Sequence, residues 1–150
     1  MLSSFVSSYK HDFTHWHFYI PTIYGAGENP KRLIPYVVNA IRHGEELHFT
    51  AGDQVRQYVH VSEVPRMLDL ALKKKLASGL YNVEGSETLT VKEIVTKIHH
   101  AMGREVPEGC FGSVLRADAG MNYLALVGTK LKDAIGFEAE KRIEESLKDY

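Results

Sequence analysis

Gly52-Asp53-Gln54-Val55-Arg56-Gln57-Tyr58-Val59-His60-Val61-Ser62-Glu63-Val64 carries the sharpest signal in this 150-residue chain. A glycine turn leads into β-branched and aromatic residues, the composition of a strand over Gln57–Val61. Alternation puts Arg56, Tyr58 and His60 on one face and Val55, Gln57, Val59 and Val61 on the other. Ser62 then offers an N-cap, and Pro65 falls in the first turn of a helix through Met67, Leu68, Ala71 and Leu72. An arginine at a strand start, beside a loop, presents a planar fork of donors suited to phosphate. The alternative for Arg56 is a structural ion pair with Asp53 or Glu63.

Working outward, Leu2 to Tyr9 has helical spacing and begins without a cap, as if an earlier part were cut away. His17–Tyr24 reads as a strand, with Pro21 marking an edge, an end or a bulge. Gly25–Pro30 is a loop, and Arg32–His43 is a helix closed by a left-handed Gly44. Leu47–Thr50 reads as a short strand. Downstream, Lys73-Lys74-Lys75 suits the C-terminal end of a helix dipole, and Gly79–Val83 is a short strand. Thr90-Val91-Lys92-Glu93 is a capping box opening a helix with Ile94, Val95, Ile98 and Met102 inward. Pro107–Gly120 is the least patterned stretch and reads as a surface loop. A short helix runs from Thr129 to Gly136, and an amphipathic helix around Ile143 and Leu147 fills the last dozen residues. Strands alternating with helices, without repeats or linkers, make residues 1–150 a single α/β or α+β unit.

Composition narrows the function classes. Apolar residues make up 44% and charged residues 25%, values of a globular chain with a real core. The net charge of −1 gives no field toward nucleic acid or membranes, and no apolar run spans a bilayer. The N-terminus has no signal-peptide pattern. A single cysteine, Cys110, excludes an internal disulfide and suits a reducing compartment, so the expected location is the cytoplasm. His11, His15 and His17 straddle an expected turn, and no carboxylate or cysteine lies at zinc-motif spacing, so no metal site is expected.

The motif YxHVxxV after Gly-x-x-x-Arg resembles the nucleotide-sugar epimerase/dehydratase/reductase family, the extended short-chain dehydrogenases. Other stretches agree with that family in its order. Ile23-Tyr24-Gly25-Ala26-Gly27-Glu28-Asn29 resembles a "YGPG" segment with Ala26 in place of proline. Arg32-Leu33-Ile34-Pro35 resembles the start of the helix that covers the base, and Gly79–Val83 resembles the late "G-x-YN-h" strand. Thr90–Ile94 and Thr129–Phe137 resemble the last two characteristic stretches. The resemblance implies that Arg56 contacts the diphosphate or nucleoside of a sugar nucleotide, with Leu33 on the base and His48 and Phe49 on a strand passing it. It further implies Arg116 as a second diphosphate contact, Thr22 on the sugar side in place of an Asn, and Pro21 on the cofactor side. Tyr19 stands where many members carry arginine.

The same family needs a glycine-rich turn for NAD or NADP and a Tyr-x-x-x-Lys pair for acid–base chemistry. The sequence contains neither: Tyr9 is followed four residues on by Phe13. The resemblance therefore implies a C-terminal, substrate-binding part holding the last strands of a Rossmann sheet, with the dinucleotide-binding part missing. Such a chain is expected to bind no NAD alone and to have no catalytic residue. The alternative is a stand-alone nucleotide-sugar-binding or oligomerising module. Sheet edges left uncovered make a homo-oligomer the expected state.

Overall fold

Where the sequence suggests one strand over His17–Tyr24, the chain makes two. A computed structural model describes residues 13–115 and 121–150; the expected helix Leu2–Tyr9 and Arg116 lie outside them. β1 (Trp16–Tyr19) pairs in parallel with β4 (Gly79–Asn82), Trp16 opposite Gly79 and Tyr19 opposite Asn82. β2 (Thr22–Tyr24) pairs in parallel with β3 (Val55–His60), Thr22 opposite Tyr58 and Tyr24 opposite His60. The break falls at Ile20-Pro21, where proline has no N–H to continue a ladder. One run of sequence thus switches sheets at a proline.

β3 is the hub of the second sheet. β5 (Glu87–Thr90) lies antiparallel to Val55–Tyr58, and β6 (Tyr123–Leu124) runs parallel to Val55–Arg56, on the side that β2 occupies further along. Gln57, 2% exposed, ties these together. Its Nε2 donates to Thr88 Oγ1 and to the Leu126 carbonyl, both at 3.2 Å, and its Oε1 accepts the Leu126 N–H at 3.0 Å. A side-chain amide here does the work of a ladder residue, satisfying both backbone groups of Leu126.

Alternation along β3 sends neighbouring side chains into two cores. Tyr58 joins α1 (Leu33–His43) and α3 (Val91–Ala101) through Ile34, Val37, Val38, Ile94, Val95 and Ile98. Val59 joins α2 (Glu63–Lys73) and α4 (Thr129–Ile135) through Met67, Ala71, Leu131 and Ile135, together with Tyr81 of β4.

The caps follow local chemistry. Gly44 adopts φ 68°, ψ 30° and donates to the Ala40 carbonyl, as a left-handed C-cap requires. Thr90 Oγ1 accepts the Glu93 N–H at 3.1 Å while the Glu93 carboxylate accepts the Thr90 N–H at 2.7 Å, the expected capping box. Ser62 does not cap α2: its backbone is helical and its hydroxyl sits 2.7 Å from His60 Nδ1. Leu47–Thr50 is not a strand either. It makes one isolated bridge, Phe49 to Phe111, and its apolar residues are there because Leu47 and Phe49 are buried in the core.

The last residues form a strap rather than one long helix: α5 (Ile143–Ser146) passes into a 3-10 turn, Leu147–Asp149. Glu63 Oε1 accepts the N–H groups of Glu140 and Lys141, at 3.3 and 3.1 Å, and its other oxygen pairs with Arg66. Glu87 accepts the Ile143 N–H at 3.0 Å and pairs with Lys97, which also holds Glu144. Burial pushes the Glu63 carboxyl upward, but these N–H groups and the guanidinium outweigh it and hold the group below its ordinary value.

Candidate functional site

Beside the start of β3, between α1, α3 and the chain entering β6, lies a cleft of about 410 Å³. Its walls bring together four residues expected from the sequence, Leu33, His48, Phe49 and Arg56. Each arrives by a different route. Leu33 is the first residue of α1, whose buried face is Ile34, Val37 and Val38. Phe49 is fixed from behind by a stacked Phe111 at 5.4 Å and an edge-on Tyr36 at 6.0 Å. His48 stands at the mouth beside Glu46, both largely exposed, with Nε2 3.5 Å from the carboxylate. Arg56 is half-buried on β3.

Arg56 is spent on no carboxylate among the described residues. Its Nη1 donates to the Val55 carbonyl at 2.7 Å. The sequence alternative of a pair with Glu63 fails because Glu63 is occupied by Arg66 and two backbone N–H groups. A cation lining a cleft without an internal counter-ion is an arrangement for an anion supplied from outside. The neighbouring Tyr58 hydroxyl is pushed up to about 12 by burial, against the pull of Arg56 and Arg32 and with a smaller push from Glu28. It therefore stays protonated at neutral pH.

Three lining residues, Thr50, Gln54 and Tyr58, were not named as site residues in the sequence reading although they lie in or beside the quoted stretch. Gln54 Nε2 donates to Thr50 Oγ1 at 3.3 Å, so an amide and a hydroxyl face the cleft as a pair. Alternation with Arg56 was the available signal for Tyr58, which also lines the wall. Met121 and Asn122 close the far side and had no signal, since they follow the least patterned stretch of the chain.

Thr22 and Pro21 do not reach this cleft. They border a separate open depression of about 450 Å³ with Tyr19, Leu124 and Leu126. Asn122 lines the cleft and Leu124 the depression, and Leu124 stands opposite Arg56 in the strand register. The cleft offers an apolar slot, polar edge groups and a cation. The depression is mostly apolar, with the Thr22 hydroxyl at its edge.

Residues 4–83 match the family model described as NAD dependent epimerase/dehydratase family. The chain is 27% identical over 132 residues to CDP-abequose synthase of Salmonella muenchen, covering 84% of this chain and 43% of that protein. It is 30% identical over 125 residues to the low-salt glycan biosynthesis protein Agl12 of Haloferax volcanii, covering 83% and 39% respectively. In fold it superposes on dTDP-glucose 4,6-dehydratase from Bacillus anthracis, solved in complex with NAD, with a TM-score of 0.80 at 23% identity. That superposition covers 97% of this chain and 45% of the dehydratase. The chain thus spans about two-fifths of the length of the curated relatives it matches.

Proposed function

Because the chain belongs to the NAD dependent epimerase/dehydratase family, we propose that it is the nucleotide-sugar-binding portion of an NAD(P)-dependent sugar-nucleotide epimerase, dehydratase or reductase. The observation that carries this reading is Arg56, uncommitted to any carboxylate among the described residues, in a cleft walled by Leu33 and Phe49. The base lies against Leu33 and Phe49, with Gln54, Thr50 and His48 at its polar edge. The diphosphate lies at Arg56, and the sugar crosses β6 toward Thr22. Arg116, outside the described residues, is assigned to the same diphosphate.

A dinucleotide fits these residues poorly. Its pyrophosphate needs a glycine-rich turn from a parallel strand into a helix. The parallel strands β2 and β3 do run into helices α1 and α2, but neither turn has the G-x-G-x-x-G spacing: the first reads Gly25-Ala26-Gly27-Glu28-Asn29-Pro30 and the second has no glycine. None of the eight tyrosines has lysine four residues on. When bound by a complete enzyme of this family, NAD(P) supplies the hydride acceptor. This chain contributes at most the Pro21 rim of the depression and otherwise positions the substrate. It turns over no sugar nucleotide by itself.

Titration calorimetry with UDP-, dTDP-, CDP- and GDP-sugars tests the reading. Binding of at least one, weakened about tenfold or more in Arg56→Ala, is the expected result. Failure of all to bind overturns it, as does NAD(P)-dependent turnover by the chain alone. A second reading, an oligomerising module, is favoured by one observation. Tyr19 and Leu80, each 47% exposed, lie on the same face of the β1–β4 pair. Parallel strands are ordinarily covered on both faces. Association of copies through this face is proposed, and its place in the cytoplasm rests on the single cysteine. Among the described residues no helix is long and apolar enough to cross a membrane.

A further inference from the structure

β1 and β4 form a two-stranded sheet, so each has one edge turned outward. The Gly79 N–H donates to the His15 carbonyl at 3.0 Å and the Val83 N–H to the Tyr19 carbonyl at 2.8 Å. With Phe18 opposite Tyr81, alternation turns the backbone groups of His15, His17 and Tyr19 toward β4. Those of Trp16 and Phe18 point the other way, where no described strand pairs with them. The outer edge of β4 is finished differently. Lys130 of α4 donates its Nζ to the Leu80 carbonyl at 2.9 Å and lies 4.3 Å over the Tyr81 ring. A lysine on an edge is a device that stops further strands from adding. β1 has no such guard. No Asp, Glu, Lys or Arg occurs from Phe13 to Gly27, and Trp16-His17-Phe18-Tyr19 is an aromatic stretch of high strand propensity.

We propose that the outer edge of β1 is a homodimer interface, where two copies pair antiparallel about a twofold axis at His17 and make the continuous sheet β4-β1-β1-β4. This rests on, and deepens, the reading of the chain as a self-associating module. The strand itself selects a second copy as its partner. Within β1, a register centred on His17 brings both outward-turned residues into hydrogen-bonded pairs, Trp16 with the partner's Phe18 and Phe18 with the partner's Trp16. Each pair exchanges both of its N–H···O=C bonds. His17 then faces the partner's His17 as the close, non-hydrogen-bonded pair, and Tyr19 faces the partner's His15, which gives aromatic contacts across the new strand pair. Leu80, opposite His17 in the β1–β4 register, flanks them on the same outer face. Growth stops at two copies because Lys130 guards both remaining edges.

Sedimentation velocity on the whole chain is expected to show a dimer at micromolar concentration. His17→Lys sets two ammonium groups across the twofold axis and is expected to weaken the dimer about tenfold. In His17→Cys the two thiols stand at a pair whose Cα atoms are about 4.5 Å apart, within disulfide reach, so oxidised glutathione is expected to link the dimer. This second variant keeps the question decidable if His17→Lys fails to fold. Tyr19→Cys, displaced from the axis, is expected not to link, and the unaltered chain, whose single cysteine Cys110 is 4% exposed, is the baseline. Lys130→Ala is expected to open the β4 edge and give species larger than the dimer. A dimer that His17→Lys leaves intact, or that Tyr19→Cys links as readily as His17→Cys, overturns the edge pairing and leaves self-association standing. Dimers unchanged by Lys130→Ala overturn the role given to that lysine. A chain that stays monomeric, or associates only with another polypeptide, overturns the pairing and the association reading together.

Discussion

The two sides of β3 are finished to different degrees. On the Tyr58 side, α1 and α3 close over a continuous core, both helices carry local caps, and the strap from Lys141 onward seals the rim. On the Val59 side, β1 and β4 pack one face on α2 and α4 through Phe18 and Tyr81, while Tyr19 and Leu80 look outward. The cleft belongs to the finished side. The contrast teaches that the geometry of the cleft is supported from within the chain, whereas the parallel pair leaves one face exposed.

The largest effect that tests this contrast is expected from truncation in the two cores. Ile98→Ala, at a fully buried position of α3, should cost about 3 kcal/mol, from lost transfer energy plus a cavity. Phe18→Ala on β1, where the residue is half-buried, should cost less, about 1–2 kcal/mol. Urea denaturation measures both. Equal losses would erase the distinction between the two sides.

A smaller effect separates the strap from both cores. The folded carboxyl of Glu63 titrates below its ordinary value of 4.5. Its stabilisation is therefore complete above that value and is lost as pH falls through the lower, folded-state value. Glu63→Gln should cost about 1–3 kcal/mol at neutral pH and flatten the acid limb of the stability profile. Hydrogen exchange at Glu140 and Lys141, whose amides Glu63 accepts, should rise in the variant at neutral pH. Unchanged protection there would show that Glu87 and Tyr24 hold the strap unaided.

The smallest effect on stability is expected at the outward face. Leu80→Ser should change it by no more than about 0.5 kcal/mol, since the side chain is half in solvent already. It should nevertheless lower self-association measured by light scattering. An unaltered chain that stays monomeric at micromolar concentration would remove the association reading and leave the asymmetry without that role.

What the sequence made legible was local or paired with a resemblance. Thr90 and Glu93 announce their capping box because both partners lie within one turn. Leu33 and Arg56, which the resemblance assigns to one ligand, line the same cleft. What was not legible depends on partners distant in the chain. The run His17–Tyr24 has uniform strand composition, and nothing in it says that its halves pair with Gly79–Asn82 and Tyr58–His60. Glu87-Thr88-Leu89-Thr90 looks too polar for a strand, yet β3 recruits it through its backbone and through the Gln57–Thr88 contact. Ser62 has the right residue type for a cap, but His60 competes for its hydroxyl. Thr22 and Arg56 line different hollows, a separation that depends on where residues 121–126 pass and that no local pattern announces.

Gln57 has one more consequence. Because its single carboxamide grips both backbone groups of Leu126, it sets where that residue stands at the edge of the depression. Glutamate would keep the acceptor and lose the donor; leucine would lose both. Either change loosens Leu126 and with it that edge of the depression, although Gln57 itself lines neither hollow. Gln54 lines only the cleft and Thr22 only the depression, so a substitution at either reshapes one hollow and leaves the lining of the other unchanged.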